Sequence, residues 1–159
     1  MNAFNKLLSE FSKLTGLDTE ADSDNSCSME TDGGVIITIQ YLENTNELAI
    51  FAPVTDPDKF AKLDYSVLKT ALELSYNGEG IRGNNLGMFH DALILSKKYD
   101  AELVNAEKLA DILINFSDTA VFVRNALVAS IGIDSEESDF NSDFNSGSAA
   151  VFNSEALSV

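Results

Sequence analysis

The chain has 159 residues, of which 45% are hydrophobic, a composition typical of one globular domain with a buried core. Its 26 acidic residues outnumber its 10 basic residues, which gives a formal net charge of −16. Such a negative surface repels nucleic-acid phosphates and anionic lipid headgroups, so the composition argues against nucleic-acid and membrane partners. Cys27 is the single cysteine. It excludes an intrachain disulfide and fits a reducing, cytoplasmic compartment.

The C-terminal stretch differs from the rest of the chain. Residues 134–159 contain six acids, no base and a tandem Ser-Asp-Phe-Asn repeat. This composition buries too little apolar surface to offset the entropy of ordering, so we predict a domain over residues 1–133 and a mostly disordered tail. Phe140, Phe144 and Phe152 punctuate the tail. They could form a docking motif or contact nothing specific, and the sequence leaves both options open.

The first half of the domain predicts a helix followed by three strands. Apolar residues at helical spacing between a candidate N-cap and Gly16 predict the helix: Phe4, Leu7, Leu8, Phe11 and Leu14. Cys27 and Met29 then alternate with polar residues, and Asp32-Gly33-Gly34 is a strong turn signal. Two further apolar segments, 35–42 and 48–54, complete an antiparallel meander.

The second half predicts a helix, a strand pair and a longer helix. The second helix fits residues 64–76, which end at Asn77-Gly78, and strands fit residues 81–89 and 92–99. Asn105 is placed to cap a long helix that runs to Gly132. Because the strands cluster rather than alternate singly with helices, the order predicts an α+β fold with an antiparallel sheet flanked by helices.

The residues offer little material for catalysis or metal binding. His90 is the only histidine, so no histidine pair can hold a transition metal, and no cofactor motif is present. Asp22 opens a short acidic loop, but Cys27 stands where a calcium loop needs glycine. A third hypothesis is a small hydrolase with Cys27 as nucleophile and His90 as base. It ranks below the others because a cysteine in an alternating strand is more often a small buried thiol. We therefore predict a binding protein that is not an enzyme and has no cofactor.

The order of elements and the apolar pattern resemble a known family. The resemblance covers residues 4–127 and lies in three stretches: the first helix with Phe4, Leu7 and Phe11; the segment 68–78 with Leu86 and Leu93; and the long helix with Leu109, Leu113 and Phe116. In this order, and in a small acidic chain, they resemble the class I type III secretion chaperones, the family that includes the Tir chaperone. The resemblance does not extend to the tail, residues 134–159.

The resemblance implies a cytoplasmic bacterial homodimer without catalytic activity that holds a secreted effector near the effector's N-terminus in extended form. The secretion apparatus is a further candidate partner. Strand addition and apolar pockets would hold such a segment. The side chains predicted to contact effector lie on the first helix and the meander: Phe4, Leu7, Leu8, Phe11, Val35, Ile37, Ile39, Leu48 and Ile50. Those predicted at the dimer interface lie on the second helix and the following strand: Leu68, Leu72, Leu86 and Met88.

One alternative comes from a different functional class. A non-enzymatic adaptor or regulatory protein of related fold could bind a folded partner, with the phenylalanines of the tail as the contact. Removal of residues 134–159 separates the two hypotheses, because such an adaptor would lose its partner and a wrapping chaperone would keep it.

Overall fold

The computed structural model describes residues 3–55 and 63–131, and the predicted tail at 134–159 lies outside them. Within the described residues the order is helix, three strands, helix, two strands, helix, which confirms the predicted α+β arrangement. The helices are α1 (Ala3–Thr15), α2 (Tyr65–Ser75) and α3 (Ala106–Ala129). The strands are β1 (Ser26–Glu30), β2 (Ile36–Leu42), β3 (Glu47–Pro53), β4 (Asn85–Phe89) and β5 (Ala92–Asp100).

The five strands form one antiparallel sheet in the order β1-β2-β3-β5-β4. This order places β1 at one edge and β4 at the other. Short loops join β1 to β2, β2 to β3 and β4 to β5, whereas α2 connects β3 to β4. The two edges have different surroundings, because α2 packs beside β4 and α1 lies near β1.

The core lies between the sheet and the helices. Side chains alternate along each strand, so Ile37, Ile39, Ile50 and Leu95 face the helices and are almost fully buried. Apolar residues of α1 and of α3 complete the same cluster. Residues of the opposite parity, such as Phe51, face away from the helices and are only half-buried. A two-layer domain with one open sheet face results.

Local signals fix the ends of the helices. Gly16 has a φ of +76°, and its N–H donates to the Ser12 carbonyl (2.8 Å), which ends α1. Asp64 and Asn105 cap α2 and α3, since each side chain accepts a hydrogen bond from a backbone N–H three residues later. The Asn105 cap occurs at its predicted position, and α2 begins at Tyr65, one residue after the predicted start.

The predicted strand over residues 81–89 is too long at its start. Residues 81–84 form turns, and β4 begins only at Asn85. Arg82 and Gly83 both have positive φ angles, which a strand does not allow. The Asn84 side chain donates to the Ile81 carbonyl (2.7 Å), which stabilises the turn.

α3 is apolar throughout much of its length. By length and composition alone it could cross a membrane, with a mean hydropathy of 1.3 in its most apolar window. Its stripe of Leu109, Leu113, Phe116 and Val123 is instead buried against α1 and the sheet. This buried stripe accounts for part of the apolar character of α3, whereas Ile114 and Phe122 are exposed.

Candidate functional site

The nine residues predicted to contact effector all lie in the protomer core. None has more than 9% of its side chain exposed. Some of them nevertheless form the walls of surface grooves along α1. Phe11 and Ile37 line one groove, and Phe4, Leu7 and Leu48 line another. Contact between these side chains and an effector stays a prediction, and it would occur through the grooves.

The larger groove, which we call the acidic groove, lies between the end of α1, β1 and α3. It has a volume of about 590 Å³. Its apolar lining comes from these three elements, from β2 and from the loop after α1: Phe11, Leu17, Met29, Ile37, Ala110, Leu113 and Ile114. Leu17 and Ile114 are more than half exposed, so their apolar surface is open to a ligand. The charged residues of the lining are all acidic: Asp18, Glu30, Asp32 and Asp118.

The edge of β1 forms one side of the acidic groove. Asn25 and Thr31, which flank β1, both bond to β2 through their backbones, so residues of odd number along β1 pair inward. The N–H and C=O groups of Ser28 and Glu30 therefore point away from the sheet. Among the described residues these groups have no hydrogen-bond partner, whereas the equivalent groups of Ser26 bond to Asp22. An extended peptide can add a strand at this open edge.

The far end of this edge is held by α3. The Arg124 guanidinium donates to the carbonyl of Gly34 (2.9 Å) and to the carbonyl of Gly33 in the β1–β2 turn. Gly33 also packs so closely that an added Cβ would lie 2.6 Å from Cγ2 of Val121. The turn and α3 therefore hold β1 at a fixed distance from Ile114 and Asp118 across the groove.

A second groove, which we call the N-terminal groove, lies at the other end of α1. It has a volume of about 220 Å³ and is lined mainly by Phe4, Leu7, Tyr41, Leu48 and Val104. Its charged residues, Lys6 and Glu10, face each other at 3.9 Å one helical turn apart. The N-terminal groove is therefore smaller than the acidic groove and electrically balanced.

The four residues predicted at a dimer interface lie together on α2 and β4. Leu72 and Met88 are 75% and 65% exposed, Leu68 is exposed to a smaller extent, and Leu86 is half-buried. Tyr65 at the start of α2 and Tyr76, the residue just after its end, extend the exposed stripe of Leu68 and Leu72. We call this region the α2–β4 surface; it consists of Tyr65, Leu68, Leu72, Tyr76, Leu86 and Met88. Such exposed apolar area marks a protein interaction site.

Sequence reasoning missed several residues of these surfaces. Leu17 follows the glycine that ends α1, and Ile114 lies off the buried stripe of α3, so neither belongs to a periodic pattern. Tyr65 and Tyr76 are spaced with Leu68 and Leu72 at helical intervals, and this spacing could have identified them. The open edge at Ser28 carries no side-chain signal, because it follows from the strand order of the sheet.

The structure contradicts the hypothesis of a Cys27–His90 catalytic pair. Cys27 lies on β1, and His90 lies in the turn after β4, at the opposite edge of the sheet. Four strand spacings of about 4.8 Å separate the two edges. Burial also raises the pKa of the Cys27 thiol, which disfavours the nucleophilic thiolate.

The acidic loop before β1 is structural. The Asp22 carboxylate accepts hydrogen bonds from the backbone N–H groups of Asp24 and Ser26 and from the Ser26 hydroxyl. The bonds to Ser26 are the main reason that the pKa of Asp22 is lowered. Within residues 3–55 and 63–131, no three His, Cys, Asp or Glu side chains form a candidate metal site.

A two-layer α+β domain with an open sheet edge beside an apolar groove has the features that proteins use to bind extended peptides by strand addition. The sequence model of the Tir chaperone protein (CesT) family matches residues 6–124. This match covers most of the chain, so the protein belongs to the Tir chaperone protein family. Membership of a chaperone family indicates a binding role.

Solved structures of the same fold come from type III secretion complexes. A chain of the ExsC–ExsE complex has a TM-score of 0.65 and 22% identity, over 77% of this chain and 92% of that chain. A chain of the HopA1–SchA chaperone–effector complex has a TM-score of 0.60 and 17% identity, over 77% and 94%. The structure of the Yersinia pestis type III secretion chaperone SycH with a fragment of YscM2 contains a chain with a TM-score of 0.55 and 18% identity. The match covers 76% of this chain and 98% of that chain. A search of curated proteins finds no match to this sequence.

Proposed function

We propose that this protein is a type III secretion chaperone of the bacterial cytoplasm that binds the N-terminal region of a secreted effector in extended form. Binding keeps the effector soluble and competent for export, and it involves no chemical step. Family membership and the likeness to chains of chaperone–effector complexes support this function. The observation that carries it here is the open edge of β1 beside the acidic groove.

The geometry of the edge suits an extended segment. A strand added to β1 would bond to the outward backbone groups of Ser28 and Glu30, and its alternate side chains would enter the groove beside Met29 and Ile114. Backbone bonds are independent of side-chain identity, so affinity for an unfolded segment and selectivity from the groove can coexist. A folded partner has few free strand edges to offer such a site.

We further propose that two copies associate through the α2–β4 surface. This surface exposes large apolar side chains, and β4 offers a second sheet edge, where the N–H and C=O groups of Leu86 and Met88 point away from β5. Most soluble homo-oligomers are two-fold dimers, which here would have a mass of about 34 kDa from a chain of 17.2 kDa. The arrangement leaves both β1 edges of the dimer free for effector.

Hydrogen exchange on a co-purified complex tests the chaperone function. The effector gene to test first is one that neighbours this gene and encodes a larger secreted protein without a signal peptide. We expect the backbone N–H groups of Ser28 and Glu30 to gain protection when the effector binds, and the bound effector segment to show strand-like protection without a compact fold. A bound segment that is compact and protected throughout, with unchanged exchange at Ser28 and Glu30, would contradict the wrapping mode.

The adaptor hypothesis rests on the tail, which lies outside the described residues. Truncation before residue 134 therefore belongs in the same experiment. Retention of the partner by the truncated protein supports the chaperone, and its loss supports an adaptor that binds through the tail.

A further inference from the structure

The charged residues that line the acidic groove all carry the same, negative, sign. It is bordered by Asp18, Glu30, Asp32 and Asp118, and no lysine or arginine is among the described residues that line it. Arg124, a base on α3 that contacts the β1–β2 turn, directs its guanidinium to the Gly33 and Gly34 carbonyls. A ligand in this groove therefore meets an apolar floor inside a border of carboxylates.

The strand geometry fixes which ligand positions meet the floor and which meet the carboxylates. In a strand added to β1, one set of alternate side chains faces the helices and lies beside Leu17, Met29 and Ile114. The other set lies on the same face as the exposed Glu30 side chain, at cross-strand distances of about 5 Å. Asp18 and Asp118 flank the helix-facing set on either side of the groove.

From these positions we infer that the effector segment taken up at β1 alternates apolar residues with lysine or arginine. This inference rests on the proposed function and specifies the chemistry of its partner. The apolar residues fill the floor of the acidic groove, and the cations lie on the face of Glu30 and pair with it, while Asp18 and Asp118 add to the negative potential that attracts them. A segment with acidic residues at the alternate positions is rejected by like-charge repulsion.

Charge also excludes one alternative occupant. Residues 134–159 of this chain carry phenylalanines that could enter an apolar groove, but they contain six acids and no base. Four carboxylates at the groove border repel such a segment. The acidic groove therefore favours a cationic partner over the chain's own C-terminus.

Three capped, dye-labelled peptides test this inference with the full-length protein. One peptide alternates leucine with lysine, the second alternates leucine with glutamate, and the third alternates leucine with glutamine. We expect the lysine peptide to bind at least about tenfold more tightly than the glutamate peptide at low salt, with the glutamine peptide between them. At about 0.5 M salt the Debye length falls to roughly 4 Å, so the three affinities should converge.

Matched variants locate the binding site. The double variant Glu30→Gln/Asp118→Asn should weaken the lysine peptide by about fivefold and leave the glutamine peptide unchanged, because only the rim charge is removed. The control Glu79→Gln/Glu107→Gln removes the same charge from exposed residues that do not line the groove and should change neither affinity. Circular dichroism melting confirms that both variants fold.

The outcomes separate this inference from the function on which it rests. Equal binding of the lysine and glutamate peptides, or no binding of the lysine peptide, overturns the inference even if an effector co-purifies and protects Ser28. An equal loss in both double variants also overturns it, since net charge rather than the groove would then attract the peptide. Failure of the proposed function itself would appear as unchanged exchange at Ser28 and Glu30 in the effector complex.

Discussion

The α2–β4 surface and the acidic groove both expose large apolar side chains, but they differ in shape and charge. Lys69 and Glu73 of α2 form an ion pair at 3.9 Å, so the helix that carries Leu68 and Leu72 is nearly neutral there. The acidic groove is concave, and the charged side chains among its described lining residues are all carboxylates. A neutral apolar surface can meet its own copy across a two-fold axis, whereas a uniformly acidic one would repel its copy and attract a cationic partner.

If the two surfaces bind different partners, as proposed, each can be disabled without the other. Leu72 and Ile114 are matched probes, because both are aliphatic helix residues that are more than 60% exposed. A charge at either position should cost little folding stability, so a loss of binding can be assigned to the interface.

The largest effect is expected for Leu72→Asp. In the proposed dimer this change buries two unpaired carboxylates, so we expect the dissociation constant of the dimer to rise by roughly 100-fold or more. Light scattering after size exclusion should show a mass near 17.2 kDa instead of about twice that value. Peptide binding at the acidic groove should be unaffected. A variant that remains dimeric at micromolar concentration would contradict the assignment of the α2–β4 surface.

The reciprocal variant, Ile114→Asp, should leave the dimer intact and weaken the effector complex. It removes apolar contact area from the groove and adds a charge beside it, so we expect a loss of about 10- to 100-fold in affinity. Isothermal titration with the effector's N-terminal segment measures the loss. If Ile114→Asp splits the dimer while Leu72→Asp does not, the roles of the two surfaces are reversed.

A smaller effect is expected for Ser28→Pro. The Ser28 N–H points away from β2, so proline removes no hydrogen bond of the sheet but blocks strand addition. We expect about a tenfold loss of effector affinity with little change in melting temperature. Ser28→Ala is the control, because it keeps the N–H and loses only the Ser28 Oγ–Thr38 Oγ1 hydrogen bond of 2.8 Å. Equal losses in both variants would show that the side chain matters and the edge does not.

The elements were predictable where local chemistry decides them. Asp32-Gly33-Gly34 and Asn77-Gly78 predict turns because their residues tolerate left-handed backbone, and Asn105 predicts a helix start because its side chain can cap. The predicted start of β4 was wrong because Ile81 is a residue type common in strands but precedes two residues with positive φ. Apolar pattern alone does not reveal such a backbone conformation.

The candidate site was less predictable than the fold. Leu72 and Leu109 occupy similar positions in their helical patterns, yet Leu72 is 75% exposed and Leu109 is fully buried. Burial depends on whether other elements pack on that face of the helix, which the pattern does not show. The acidic groove joins residues near position 18, near position 30 and near position 114. Their proximity follows from the strand order and from α3 packing on α1, which no local pattern encodes.

The smallest expected effect is a pH dependence of folding stability that arises from a core residue, Cys27. Burial raises the pKa of Cys27 above its ordinary value of 9.0, so the folded state holds the thiol proton more tightly than the unfolded state does. The stability from this difference is fully present below the unfolded pKa and is lost as the pH rises through the folded pKa. We therefore expect a lower melting temperature at pH 10 than at pH 8, and a smaller drop in Cys27→Ala. Tyr99, whose pKa burial also raises, accounts for part of the remaining drop. An identical decline in Cys27→Ala and the parent protein would show that the thiol does not contribute.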